Sequence, residues 1–178
     1  MSLVESYLHE RTGGLRMQVV AIGLFRSIGE TFGLYAEVRS AKINAADAST
    51  GNSVDLECTD KRGNIVIGVE VKDRELRLSD LQSKLPAIRE RGIGEILFLI
   101  QGDRPNTNQV DINQTVERQF PSGHNIYLAE LNQFLHACLI LFGERGRRNF
   151  VRHVGQALDE FSGEISHRQR WAELLDAI

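Results

Sequence analysis

The chain has little cysteine, little lysine and no long apolar run, and each shortage excludes a class of protein. Only two cysteines occur among 178 residues. Cys58 and Cys138 both lie in apolar stretches, so they read as small buried hydrophobes of a reducing, cytoplasmic compartment, not as a disulfide framework or a zinc site. No stretch approaches the ~18 uncharged apolar residues of a membrane-spanning helix, and the first residues lack a signal-peptide pattern. No internal repeat or low-complexity segment occurs. Basic residues are not in excess: the formal net charge is -3, which argues against a protein that coats nucleic acid. Of 21 basic residues only Lys42, Lys61, Lys72 and Lys84 are lysines. Arginine forks match phosphate oxygens and guanine edges, although a GC-rich genome would produce the same bias.

What remains is an ordinary globular composition, 42% apolar and 25% charged, in a length that suits one domain with a real core. Helical spacing of Met17, Val20, Ala21, Leu24 and Ile28 predicts a helix from Leu15 to Phe32. Tyr35 to Ser40 reads as a short strand and Lys42 to Gly51 as a loop. Leu78, Leu81, Leu85 and Ile88 make the apolar stripe of a helix from Ser79 to Arg91, with Ser79 and Gln82 as a capping box and Pro86 as a kink. Glu95 to Gln101 is nearly all apolar, the mark of a strand covered on both faces. A loop through Gln109, a short helix capped by Asp111, and a strand from Asn125 to Leu128 follow. An apolar helix then runs from Glu130 to Phe142, and further helical segments carry the chain to its end. Strands alternating with helices predict an α/β fold with a mixed central sheet flanked by helices and a helical C-terminal extension. The core is expected over about residues 15–130 and the extension over about 130–178.

The informative stretch is Asn52 to Asp73. Val54, Leu56 and Cys58 alternate with polar residues, and Ile65, Ile67, Val69 and Val71 alternate with Asn64, Val66, Gly68, Glu70 and Lys72. Two β-rich arms around a polar turn containing Gly63 form a hairpin. With Arg62 and Gly63 as the loop, Asp55 falls opposite Glu70; with Gly63 and Asn64, it falls opposite Lys72. Either register puts Asp55, Glu70 and Lys72 on one face, provided no bulge intervenes. Opposed carboxylates destabilise a sheet, and a hard cation bound by carboxylate oxygens offsets the repulsion. A solvated face with a weak surface ion pair is the competing account.

Asp55 followed by Glu70-Val71-Lys72 on two successive strands resembles the PD-(D/E)XK nuclease superfamily, most closely type II restriction endonucleases of the SacI type. Val54 stands where the motif's proline would be, whereas Glu-x-Lys matches fully. The resemblance implies a restriction-endonuclease-like fold and Mg²⁺-dependent hydrolysis of double-stranded DNA (Mn²⁺ as a substitute), with no membrane association and a possible homodimer. It implies that Asp55, Glu70 and the Val71 carbonyl hold the ion. Lys72 would position or deprotonate the attacking water, or stabilise the pentacovalent phosphate. Glu30 and Gln82 are the further candidates, Glu30 rivalled by Glu37. The chain is short for a complete restriction enzyme, so a separate recognition domain is expected outside it. A repair or recombination nuclease of the same superfamily is one alternative, and a non-catalytic DNA-binding or assembly domain on that fold is another.

Arg145, Arg147, Arg148 and Arg152 lie within nine residues that hold no acid. A charge run is usually a solvated face; beside a phosphodiester site it becomes a DNA contact, and the expectation is that the segment shares a side of the molecule with Asp55, Glu70 and Lys72.

Overall fold

The computed structural model describes residues 3–9, 14–40, 53–102 and 109–176. In chain order these form α1 (Leu3–Leu8), α2 (Leu15–Phe32), β1 (Glu37–Ser40), β2 (Leu56–Thr59), β3 (Ile65–Lys72), α3 (Leu78–Glu90) and β4 (Glu95–Ile100). There follow α4 (Gln109–Gln119), a 3-10 turn (Phe120–Ser122), β5 (Asn125–Glu130), α5 (Leu131–Phe161) and α6 (Ile165–Asp176). The loops expected at 42–51 and 103–108 lie outside the described residues.

The strands form one sheet in chain order. β1, β2 and β3 pair antiparallel, while β3, β4 and β5 pair parallel. Parallel neighbours need a long crossover, and α3 and α4 supply the two crossovers. The expected mixed α/β architecture is therefore present. Helices cover both faces. Leu24 and Ile28 of α2 and Leu135, Phe150 and Val154 of α5 pack on Leu56, Val69, Leu97 and Leu99 in one core. Leu81, Leu85 and Ile88 of α3 and Ile112 of α4 pack on Ile96, Phe98 and Ile100 in the other. β4 sends alternate side chains into the two cores, which is why its sequence is almost uniformly apolar.

The hairpin turn is longer than either two-residue loop. Asp60 N–H donates to the Asn64 carbonyl (2.9 Å) and Gly63 N–H to the Asp60 carbonyl (3.0 Å), leaving Lys61, Arg62 and Gly63 as the loop. Gly63 has φ 85°, the left-handed residue that a three-residue hairpin requires. This shifts the register so that Thr59 faces Ile65. A bulge then skips Val66, Cys58 faces Ile67 and Leu56 faces Val69. Loop and bulge shift the pairing in opposite senses and cancel, which brings Asp55 level with Glu70. The bulge also separates Ile65, which packs on the α3 side, from Ile67, Val69 and Val71, which pack on the α2 side. Val54, in the bend before β2, likewise joins the α3-side core instead of the row of Leu56 and Cys58.

Two other local expectations are corrected. α3 begins at Leu78, and Asp80, not Gln82, reaches back: its Oδ2 accepts from Arg77 N–H at 3.0 Å. Pro86 lies inside α3, where its missing N–H removes one helical donor. α4 starts at Gln109, so Asp111 lies in its first turn and does not cap it. The helix expected to end at Phe142 does break there: Gly143 leaves helical geometry (φ 62°, ψ -169°), and a second helical stretch carries α5 on to Phe161.

Candidate active site at the end of the central strand

β3 ends where β2 has not yet begun. The Val71 N–H, with no β2 ladder partner at that level, donates instead to Asp55 Oδ2 at 2.7 Å. The N–H and C=O of a strand residue leave on the same edge, so the Val71 carbonyl points toward the Asp55 side. Glu70, one residue earlier, faces α3 and is 1% exposed. Its Oε1 accepts from Lys72 Nζ at 2.6 Å and lies 3.3 Å from Lys84 Nζ, which α3 brings down onto the sheet. Its Oε2 is buried with no hydrogen-bond partner among the described residues.

Burial pushes the Glu70 carboxyl above the usual carboxylate range, and the charge of Asp55 raises it further. Lys72 and Lys84 pull it back in part. The cluster is thus two carboxylates and two ammonium groups on a largely dry sheet face. Among the described residues no group of three or more His, Cys, Asp and Glu side chains is placed to hold a metal ion. The oxygens that could hold a hard cation here are those of Asp55, Glu70 and the Val71 carbonyl. An unpartnered buried carboxylate oxygen beside a second carboxylate is an arrangement that such an ion would satisfy.

The model of the family described as the SacI restriction endonuclease C-terminal domain matches residues 1–103. The chain belongs to this family. No curated protein matches the chain. The matched span of this restriction-endonuclease-related chain carries Asp55, Glu70, Lys72 and Lys84, whereas the arginine-rich segment lies beyond it.

Lys84 was absent from the expected site residues, yet its position carried a signal. Leu81, Lys84, Leu85 and Ile88 follow the i, i+3, i+4, i+7 pattern of one helix face, and a lysine in that pattern points inward. Its side chain is 13% exposed. Gln82, by contrast, is exposed on the outer side of α3.

Glu30 does not join the cluster. α2 begins beside the end of β3, where a Cβ added to Gly14 would sit 3.5 Å from Asp73 Oδ2. Glu30 lies sixteen residues further along the chain, about 24 Å away at 1.5 Å per residue. There it meets the hairpin end of the sheet and accepts from His153 Nε2 (2.6 Å), Arg152 (2.9 Å) and Asn149 (2.9 Å). The His153 hydrogen bond is the main cause holding the Glu30 carboxyl below its ordinary value, assisted by Arg152 and Arg145. Its rival Glu37 pairs with Arg39 at 2.9 Å in β1.

The arginine segment follows Glu30 to the far end, so the structure does not bring it to the side of the candidate site. Arg152 pairs with Glu30, Arg148 with Glu144, and Arg147 donates to the Leu139 carbonyl at 3.2 Å. Arg145 borders a cleft with Glu30, Phe142 and Asn149. Phe150 and Val154 anchor this part of α5 in the α2-side core, across the sheet from Glu70. No described helix is long and apolar enough to cross a membrane.

Proposed function

We propose that the chain is a divalent-cation-dependent DNA endonuclease, the hydrolytic part of a restriction enzyme, with the PD-(D/E)XK arrangement at its centre. The observation that carries this reading is Glu70: a carboxylate 1% exposed, one oxygen unpartnered, next to Asp55 and against Lys72. A fold gains nothing from such a group unless something binds it, because burying an unmatched polar oxygen costs roughly 1–3 kcal/mol.

In this reading Asp55, Glu70 and the Val71 carbonyl hold Mg²⁺, with Mn²⁺ as a substitute. The ion, when bound, lowers the pKa of water and neutralises charge building on the phosphate. Water adds to phosphorus and one P–O bond to a deoxyribose oxygen breaks. One water proton leaves with that oxygen, and the other stays on the new phosphate monoester or passes to solvent. Asp55 fixes the end of β3 through Val71 N–H and so sets the carboxylates' separation. Lys72, anchored on Glu70 Oε1, orients the attacking water. Burial on the α3 face keeps bulk water from competing for the carboxylates.

Digestion of supercoiled plasmid with Mg²⁺, read by end-sequencing of the products, tests the proposal. Cleavage that requires Mg²⁺ and disappears in Glu70→Gln is expected. A well-folded protein that leaves plasmid intact across a range of sequences would return the chain to a DNA-binding or assembly role.

A further inference from the structure

Beyond the motif residues, the site holds a second lysine. Asp55, Glu70, Lys72 and Lys84 sum to zero formal charge. A single divalent cation would bring the site to +2. A phosphodiester and an attacking hydroxide together carry -2, so one ion already balances the charge at which the barrier lies. Lys84 supplies what would otherwise need a second ion: it comes from a different element than the motif, its side chain is 13% exposed, and its Nζ lies 3.3 Å from Glu70 Oε1. Lys84 lies on the face of α3 that carries the buried Leu81 and Leu85, so its ammonium is turned toward the sheet.

We propose that Lys84 is a functional cation of this site, contacting the scissile phosphodiester in the place of a second metal ion, so that one divalent cation per chain serves. This rests on the nuclease reading above. A counter-ion that merely supports Glu70 is the competing role, and the two roles move metal binding in opposite directions. Lys84 repels a cation on Glu70, so removing it tightens metal binding if the site otherwise persists; a purely structural lysine loosens the site when removed.

The test compares wild type, Lys84→Met (which keeps the aliphatic stem) and Lys84→Arg at fixed alkaline pH. Mg²⁺ alone is titrated by calorimetry, and plasmid cleavage is measured at saturating Mg²⁺. The inference expects one Mg²⁺ per wild-type chain. In Lys84→Met it expects binding on the order of tenfold tighter with cleavage about a hundredfold slower, and in Lys84→Arg most of the rate restored. Two ions per wild-type chain, or wild-type cleavage in Lys84→Met, would overturn it while leaving the nuclease reading intact. Weaker Mg²⁺ binding in Lys84→Met, with a lowered melting point, assigns the supporting role and overturns it equally. A wild type that neither binds Mg²⁺ nor cleaves removes both.

Discussion

Two glutamates at opposite ends of the sheet each meet basic side chains, and they respond in opposite directions. Glu70 is 1% exposed, touches two lysines, and still has its carboxyl pushed up. Glu30 has a side chain 41% exposed, touches His153, Arg152 and Asn149, and has its carboxyl pulled down. Counting ion pairs would make the two clusters alike. The difference is desolvation together with a neighbouring carboxylate: Glu30 keeps water and has donors for both oxygens, whereas Glu70 has lost water, faces Asp55, and leaves Oε2 unmatched. A pair that stabilises its acid is structural; a pair that cannot fully stabilise it invites a ligand.

The largest expected separation between the two is in activity. Glu70→Gln should lower Mg²⁺-dependent plasmid cleavage by about a thousandfold, since losing the ion forfeits several kcal/mol of transition-state stabilisation at 1.36 kcal/mol per factor of ten. Glu30→Gln should leave the rate within about twofold. Equal losses would show that the clusters are one site.

Next in size is stability without metal. A raised carboxyl means that the fold disfavours the charge, so Glu70→Gln should stabilise the metal-free protein at neutral pH by on the order of 1 kcal/mol, one pK unit being worth 1.36 kcal/mol. Glu30→Gln should lower the melting point slightly, with water screening most of the loss. Denaturant melts of the two variants decide it, and a strongly destabilised Glu70→Gln would mean that the lysine pairs outweigh burial.

The pH dependence should split the same way. Because the folded value of Glu70 lies above its unfolded value near 4.5, the folded state binds the extra proton between the two, and stability contributed by this group rises as pH falls through that window. For Glu30 the folded value is lower; its contribution is present above the ordinary value and is lost as pH falls through the depressed one. Melting curves of wild type and each glutamine variant, taken as differences from well below the ordinary carboxylate value to well above it, read the two slopes, and slopes of the same sign would break the comparison. The smallest effect is expected for the far arginines: Arg147→Ala with Arg148→Ala should change cleavage at saturating DNA by no more than about twofold, because this surface belongs to Glu30's end.

The candidate residues were legible as a group because period-two alternation in a regular hairpin places Asp55, Glu70 and Lys72 on one face. Even so, the register came out right only because a three-residue loop and a bulge at Val66 cancel, which no alternation pattern encodes. Lys84 was visible as the i+3 member of a helix face but hidden by reading that face for apolar residues alone. The misplacement of Glu30 and of Arg145 to Arg152 has a different origin. Their own helices were anticipated, but the direction of α2 along β3 is a tertiary fact, and it puts Glu30 an entire helix length from the carboxylates it was expected to join. Proximity in a motif family's order of elements does not fix which end of a helix meets the site.

The central claim is that Asp55 and Glu70 form a cation site and not a structural ion-pair network. Calorimetric titration of Mg²⁺ into wild type and Glu70→Gln, with melting points recorded on the same samples, addresses it most directly. The account predicts saturable binding and a raised melting point in wild type, and neither in Glu70→Gln. A wild type whose melting point ignores Mg²⁺, together with a Glu70→Gln protein that is strongly destabilised without it, would contradict the account.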